Sequence, residues 1–219
     1  MTTVTSAGAQ PPARRLTARG ALTRDRIVRA AADLMHAAGV AGTTMDQVVD
    51  ASGTSKSQLY HYFADKDALV AAVIKMQAAR ALESQEPHLE RLASLADLRR
   101  WRDVAVRLVE ERQGAGGCAV GSLSSELADR SEPARILIEA AFRSWESYLA
   151  AGLRRMQDRG ELDAGADPGA LATGLMAAYQ GGYLLSQAER SSRPMAVALD
   201  LALDSIEARR ARSDRAPKR

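Results

Sequence analysis

Two short helix-start patterns on either side of one glycine constrain the fold of this chain more than any other feature. Gln47 follows Thr44 at a spacing of three residues, and Gln58 follows Ser55 at the same spacing. In such a pair the first side chain caps a helix N-terminus and the second reaches back to the capping residue, forming a capping box. Gly53 lies between the pairs, where a sharp turn favours a residue that tolerates positive φ. The pattern predicts two short helices joined by a tight turn, a helix-turn-helix.

Helical periodicity continues on both sides of this unit. Apolar residues recur at spacings of three and four before it, so we predict a helix that Thr23 caps and Gly39 ends. The second short helix is predicted over 56–62, with Leu59 as its core contact. Asp65 is the predicted cap of a longer helix that ends near Pro87.

The remainder of the chain keeps the helical pattern. Asp167 followed by Pro168 signals one helix start, and few runs alternate with the period of two that strands need. We therefore predict an all-α fold, with an N-terminal three-helix head that contains the helix-turn-helix and a C-terminal helical bundle. The predicted divisions are a flexible arm over 1–20, the helix-turn-helix domain over 21–68, the C-terminal domain over 69–208 and a basic tail over 209–219.

Charge is distributed unevenly along the chain. Lysine and arginine outnumber aspartate and glutamate by 10 to 7 over residues 1–85 and by 6 to 2 over 205–219. Over 86–204 the acidic residues are in excess, with 18 aspartates and glutamates and 14 lysines and arginines. Basic ends suit a nucleic-acid contact, although two solvated basic tails explain the same pattern. The single cysteine, the start without a signal-peptide pattern and the lack of an apolar run of about 18 residues predict a cytoplasmic protein without a membrane span.

Two runs in the N-terminal part carry a pattern of many positions. They are RDRIVRAAADLMHAAG at 24–39 and TTMDQVVDASGTSKSQLYHYFADKDALV at 43–70. This pattern resembles the DNA-binding domain of the TetR family of transcriptional regulators. The resemblance implies a repressor that binds a palindromic double-stranded operator as a homodimer and is released by a small apolar or amphipathic effector. Activation instead of repression stays open.

The N-terminal end of the second short helix holds the predicted base contacts. Short polar side chains reach base edges in the major groove without steric conflict, and Ser55, Lys56 and Ser57 have this character, as does Gln58. Gln58 is suited to bidentate hydrogen bonding with adenine, and Lys56 to guanine or a phosphate. Two positions depart from the family pattern. Ser57 replaces a frequent glycine, and Asp46 replaces a basic residue of some members, so we expect Asp46 to read a cytosine amine or to contact nothing.

Further DNA contacts are implied by the resemblance. It places Tyr60, His61 and Tyr62 against the DNA backbone and Phe63 in the core, with core packing of either tyrosine as the alternative.

Helix starts attract phosphate oxygens through their N–H groups and dipole. Thr44 and Lys66 occupy such starts, and Gln47 is a weaker candidate from the first short helix. The flexible arm holds three arginines that either enter a minor groove or stay solvated: Arg14, Arg15 and Arg19.

Three runs in the C-terminal half carry a second, looser pattern. They are GCAVGSLSSELADR at 117–130, WESYLAAGLRRM at 145–156 and YQGGYLLSQ at 179–187. These runs resemble one branch of the family's regulatory domains, which responds to drugs and metabolites, and they imply an effector cavity. The predicted lining residues, for which core packing is the alternative, are Trp101, Leu123, Phe142, Trp145, Met176, Tyr179 and Tyr183.

Glycines in a predicted helix indicate where another helix comes close. Gly174, Gly181 and Gly182 each cost roughly 1 kcal/mol against alanine, which suggests a close helix approach and a homodimer interface built by the last two helices. The candidate interface residues, for which intramolecular packing is the alternative, are Leu171, Leu175, Leu185, Leu199, Leu203 and Ile206.

No side-chain spacing in the sequence organises catalysis or metal binding. His36, His61 and His88 are the three histidines, and none forms a ligand or triad spacing with the single cysteine. We therefore predict no enzyme activity, no catalytic residue, no metal and no cofactor. Cys118 is predicted to be a small buried residue near a helix start, with redox sensing as an alternative. A helical dimeric adaptor without DNA binding is the other alternative function.

Overall fold

The computed structural model describes residues 17–210, which form ten helices and no strand. The all-α prediction is therefore confirmed for this part of the chain. None of these helices combines the length and the apolar character that a membrane span requires. In chain order the helices are α1 (Ala18–Gly42), α2 (Met45–Ser52), α3 (Lys56–Tyr62), α4 (Lys66–Glu83), α5 (Glu86–Leu89), α6 (Leu95–Glu111), α7 (Ala119–Leu127), α8 (Glu132–Asp158), α9 (Pro168–Glu189) and α10 (Arg193–Glu207).

The first helix begins earlier than the sequence pattern predicts. Thr17 is its N-cap and accepts a hydrogen bond from the Gly20 backbone N–H, so the prediction that Thr23 caps the helix is wrong. The reason is that the first turn is exposed and lacks the apolar periodicity by which the helix was located. Arg19 thus belongs to α1 and not to a flexible arm, whereas Arg14 and Arg15 lie outside the described residues.

The helix-turn-helix forms as its capping patterns predict. Both capping boxes are present, at the starts of α2 and α3. Gly53 ends α2 in the left-handed region with a φ of +62°, and Gly39 interrupts α1 with a φ of +75°. Leu59 and Phe63 are buried in the head, as predicted. Local hydrogen bonding therefore fixes the path of the backbone through α2 and α3.

The remaining elements of the described chain are helices, as predicted. Asp167 caps α9 by accepting hydrogen bonds from the backbone N–H groups of Gly169 and Ala170. The helix α4 is capped by Asp65 and ends at Glu83, and the four-residue α5 follows it. No sequence signal predicted α5 because a single turn is too short to show periodicity.

Two hydrophobic clusters organise the described residues. One joins α6, α8, α9 and α10. The other fills the head and continues through α4 into α7 and α8, where it includes Val120, Leu123 and Ile138. The Glu126 carboxylate of α7 also accepts hydrogen bonds from the backbone N–H groups of Val40 and Ala41, at 2.8 and 2.7 Å. The head is thus packed onto the C-terminal helices, and the predicted division at 68/69 stays a prediction.

Candidate functional sites

The N-terminal end of α3 is an exposed polar tip on the head. Ser55, Lys56, Ser57 and Gln58 are all exposed there, while Leu59 beneath them is completely buried. A buried anchor under exposed polar side chains gives the tip a fixed position relative to the head core. The tip is therefore available to a groove-sized partner, as its predicted role requires.

The two glutamines of the tip region are held by the capping boxes. Gln58 Oε1 accepts from the Ser55 backbone N–H at 3.1 Å, and Gln47 Oε1 accepts from the Thr44 backbone N–H at 2.7 Å. Bidentate recognition of adenine needs both the oxygen and the nitrogen of a glutamine amide. A bidentate contact by Gln58 therefore competes with its capping bond, whereas the Nε2 group can donate without breaking that bond.

An ion pair joins α2 to α3 at the tip. Lys56 Nζ lies 2.9 Å from Asp46 Oδ1, and both side chains are largely exposed. The hydrogen bond and the negative charge of Asp46 raise the pKa of Lys56. Asp46 thus holds the lysine across the two helices, a role that the sequence interpretation missed. A phosphate or guanine that approaches Lys56 must compete with this carboxylate.

The remaining predicted DNA contacts are exposed to different degrees. Tyr60 is 44% exposed and His61 is also exposed, whereas Tyr62 is half-buried against the head core and meets the His61 ring edge-on at 5.1 Å. Thr44 is the exposed N-cap of α2, and Lys66 is half-buried at the start of α4. Their contacts with DNA stay predictions.

A cleft of about 320 Å³ lies between α4 and the C-terminal helices. Trp145, Tyr179 and Tyr183 line it, as three of the seven predicted cavity residues. Phe142 instead lines an adjoining recess of about 310 Å³, which Tyr183 and Cys118 share. These four aromatics thus surround two neighbouring spaces.

The other three predicted cavity residues lie elsewhere. Trp101 is 1% exposed and stacks on the Tyr179 ring at 5.5 Å, which places it in the core behind the cleft. Met176 belongs to the same core, and Leu123 packs in the head cluster. Trp101 and Met176 thus follow the core-packing alternative, because the periodicity that marks a buried helix face does not distinguish core from cavity. Leu123 lines a separate small recess with Met35 and Val73, and its contact with an effector stays a prediction.

A buried chain of hydrogen bonds runs from the core to the cleft. The Trp101 indole N–H donates to Gln85 Oε1, and Gln85 Nε2 donates to the Tyr179 hydroxyl, both at 2.8 Å. The Tyr179 hydroxyl in turn donates to the Tyr183 hydroxyl at 3.3 Å. Burial raises the pKa of Tyr179 and of Tyr183, so both keep their protons at neutral pH. This series of hydrogen bonds therefore joins only neutral groups.

Several polar residues of the cleft escaped the sequence interpretation, which weighted aromatics. Arg112 at the end of α6 lines it, and so does one face of α4. The sequence did offer a signal for the α4 residues, because positions three and four apart lie on the same side of a helix. The residues of this face in the cleft are Gln77, Arg80 and Ala81, followed by the C-cap Ser84.

Most of the predicted dimer contacts are buried within the chain itself. Leu175, Leu199, Leu203 and Ile206 are each at most 4% exposed, and Leu171 is half-buried against the same core. The prediction that the four buried side chains face a partner is wrong, because α9 and α10 pack their leucines against each other and against α6 and α8. Leu185 is 52% exposed and remains a candidate.

An exposed apolar face nevertheless exists on the last two helices. It carries Leu184 and Leu185 on α9, with Val197 and Leu201 on α10, exposed by between 45% and 68%. Of the three glycines in α9 that were predicted to mark a close approach, one faces α10 and two face open space. A Cβ on Gly182 would approach Met195 of α10 within 3 Å, which confirms the predicted close helix approach, whereas nothing lies within 4 Å of one on Gly174 or Gly181.

The single cysteine lies at the start of α7. Cys118 is half-buried, and its Sγ accepts from the Gly121 backbone N–H at 3.4 Å, so it acts as the N-cap of the helix. Its predicted location near a helix start is confirmed. Redox sensing by this thiol stays an untested alternative.

Two family models match the sequence in consecutive parts. The one described as bacterial regulatory proteins, tetR family, matches residues 27–73. The one described as tetracyclin repressor-like, C-terminal domain, matches residues 94–202. The first range contains the exposed tip, and the second contains all of α6, α7, α8 and α9 and most of α10.

Known relatives cover most of the chain. The transcriptional regulator AcuR of Cereibacter sphaeroides is 28% identical over 185 residues, 80% of this chain and 80% of that protein. The transcriptional repressor DhaR of a Mycobacterium species is 24% identical over 183 residues, 84% of this chain and 91% of that protein. A solved TetR-family regulator from Cytophaga hutchinsonii has a TM-score of 0.79 and 18% identity, and covers 91% of this chain and 100% of that one. This last likeness concerns the fold.

Proposed function

The chain belongs to the TetR family of transcriptional regulators, and from this membership we propose that it is a repressor. In this proposal it binds a palindromic operator as a homodimer. It leaves the operator when a small effector enters the cleft. The observation that carries the proposal is the exposed polar tip of α3 above buried Leu59. A tip of this size fits the major groove, where short polar side chains reach base edges.

The proposed homodimer uses the exposed apolar face of α9 and α10. Leu184 and Leu201 are the most exposed leucines of this face, at 68% and 66%. Gly174 and Gly181 leave open space beside it, which allows close approach of a partner helix. Two copies related by a two-fold axis would present their α3 tips about 34 to 36 Å apart, the spacing of successive major grooves.

The proposed release couples the cleft to the head through α4. The N-terminal part of α4 anchors in the head core through Leu69 and Val73, while Gln77, Arg80 and Ala81 nearer its C-terminus line the cleft. An effector in the cleft therefore contacts the same rigid helix that carries the head. Tilting α4 would shift the two tips from their matched spacing and favour the DNA-free state.

The DNA-binding part is tested by a charge placed on the tip. DNA fragments are first selected from a random pool by the unmodified protein, and binding is then measured by gel shift. Ser57→Glu should abolish binding because the carboxylate repels phosphates, while helical content stays unchanged since an acid suits a helix start. Ser147→Glu, on the exposed side of α8, is the control and should bind normally. Normal binding by the Ser57 variant would contradict the proposal.

The release part is tested by the distance between the two heads. Nitroxide labels are attached to Ala51→Cys in a Cys118→Ser background, because Ala51 is exposed on α2 and serine also caps helices. The label-to-label distance should change when a compound releases the DNA. A distance that stays constant on release would contradict the α4 lever.

A further inference from the structure

The cleft between α4 and the C-terminal helices presents hydrogen-bond donors and cations to any ligand. Among the described residues that line it, two are arginines and none is an aspartate or glutamate. Arg80 comes from α4 and Arg112 from the end of α6, and within the described part of the chain neither forms an ion pair. A site with this balance disfavours a cationic ligand and favours an anionic one.

The buried hydrogen-bond chain is polarised toward the cleft. An indole N–H only donates, so Trp101 fixes the Gln85 carbonyl on its own side and turns the amide N–H₂ to Tyr179. The Tyr179 hydroxyl accepts this hydrogen bond and donates its own hydrogen bond to the Tyr183 oxygen. The hydroxyl hydrogen of Tyr183 has no acceptor among the described residues. The series of hydrogen bonds therefore ends in a donor at the cleft.

Trp145, which lines the cleft, carries a buried donor without a partner. Trp145 is only 4% exposed, and its indole N–H has no hydrogen-bond partner in the described structure. Buried polar groups without partners are rare because losing hydration without a replacement bond is unfavourable. The ring meets that of Tyr179 edge-on at 5.1 Å, so the indole belongs to the same group of side chains as the polarised chain. An acceptor atom on a ligand would complete the site.

Arg112 lines the same cleft as Tyr183, the last residue of the hydrogen-bond chain. Burial raises the pKa of Tyr183, and the positive charge of Arg112 partly opposes that rise. The guanidinium and the hydroxyl donor thus act on the same region. Leu108, Val120 and Ala81 supply apolar surface elsewhere in the cleft, whose volume of about 320 Å³ is at the small end of ligand pockets, roughly 300–1,000 Å³.

We infer that the effector of the proposed repressor is a small amphipathic organic acid whose carboxylate pairs with Arg112 and accepts hydrogen bonds from Tyr183 and Trp145. The inference rests on the proposed function, since it names the ligand class of the same cleft. A carboxylate has only acceptor atoms when ionised, so it can accept from the donors of Arg112, Tyr183 and Trp145 together. Its apolar body packs on the aromatic rings and on Leu108.

The test compares an acid with its neutral isostere. Octanoate and octanamide are titrated into the protein by calorimetry in the absence of DNA, so the result does not depend on operator binding. We expect octanoate to bind about tenfold more tightly or better, because a charge-assisted bond to arginine is stronger than a neutral one. Equal affinities, or no heat of binding from millimolar octanoate, would overturn the inference.

Variants identify the groups involved. Arg112→Gln should weaken octanoate about tenfold and leave octanamide within about twofold, whereas Arg107→Gln on the exposed side of α6 should change neither. Trp145→Phe should weaken both ligands, yet leave the Tm of the ligand-free protein unchanged or raised, because it removes an unsatisfied donor. If Arg107→Gln weakened octanoate binding as much as Arg112→Gln does, the assignment of Arg112 as the partner of the carboxylate would be overturned.

A gel shift on the same protein preparations separates this inference from the proposed function. Binding of selected DNA by a protein that ignores octanoate would overturn only the ligand class. Binding of octanoate by a protein that ignores all DNA would support the ligand class and contradict the repressor.

Discussion

Removing the Glu126 carboxylate should loosen the head from the C-terminal helices. Its two oxygens accept hydrogen bonds from the backbone N–H groups of Val40 and Ala41, just after the interruption of α1 at Gly39. A hydrogen bond to a charged group contributes about 1.5–3 kcal/mol. Val40 is buried and cannot regain a water partner easily, whereas Ala41 is exposed and can. We therefore expect Glu126→Ala to lower the free energy of unfolding by about 2–3 kcal/mol, below the sum of two full bonds.

The assay is urea unfolding combined with native-state hydrogen exchange. A local loss of about 2–3 kcal/mol corresponds to roughly 30- to 150-fold faster exchange at the Val40 and Ala41 amides. Glu126→Gln keeps one carbonyl oxygen and should fall between the parent and the alanine variant. Asp129→Asn, an exposed acid just past α7, is the control and should change neither quantity. A loss below about 0.5 kcal/mol for Glu126→Ala, with unchanged exchange, would refute the reasoning.

Three further predictions concern packing, DNA affinity and assembly. Gly152→Ala should lower the free energy of unfolding by about 1–3 kcal/mol in thermal melts, because the added Cβ would overlap a buried leucine side chain. Asp46→Asn should tighten binding to selected DNA, because it releases Lys56 from its ion pair. It should also steepen the salt dependence of the binding constant by about one phosphate contact. An unchanged salt dependence would argue against a contact between Lys56 and a phosphate. Leu184→Glu should shift the protein toward monomer in sedimentation, while Leu22→Glu, equally exposed on α1, should not.

The parts of the head that depend on nearby residues could be predicted from the sequence. Capping boxes and the turn at Gly53 are local, so their residue types suffice. The pairing of Lys56 with Asp46 depends on how α2 and α3 cross, and the bond from Glu126 to Val40 joins residues 86 positions apart. Contacts of this kind arise from tertiary packing and leave no periodic signal.

The C-terminal helices show a different limit of sequence interpretation. The predicted helical pattern holds for α9 and α10, but both the buried and the exposed sides of these helices carry leucines. Leu175 and Leu203 face the core of the same chain, while Leu184 and Leu201 face outward. Hydrophobicity alone ranks all four alike, so only the packed arrangement separates intramolecular contacts from candidates for a partner. The neutral residue Gln85, which organises the cleft, has no such signal at all.

The hydrophobic cluster that runs from the head into α7 and α8 limits how the protein can be recombined. Val120, Leu123 and Ile138 cover head residues that would otherwise meet water. A chimera that joins residues 17–68 to the sensor half of another regulator would therefore expose an apolar surface unless the acceptor supplies matching side chains. Engineers who want to exchange operator specificity should instead graft only the outward-facing residues of α2 and α3. Such a graft keeps the shared core intact.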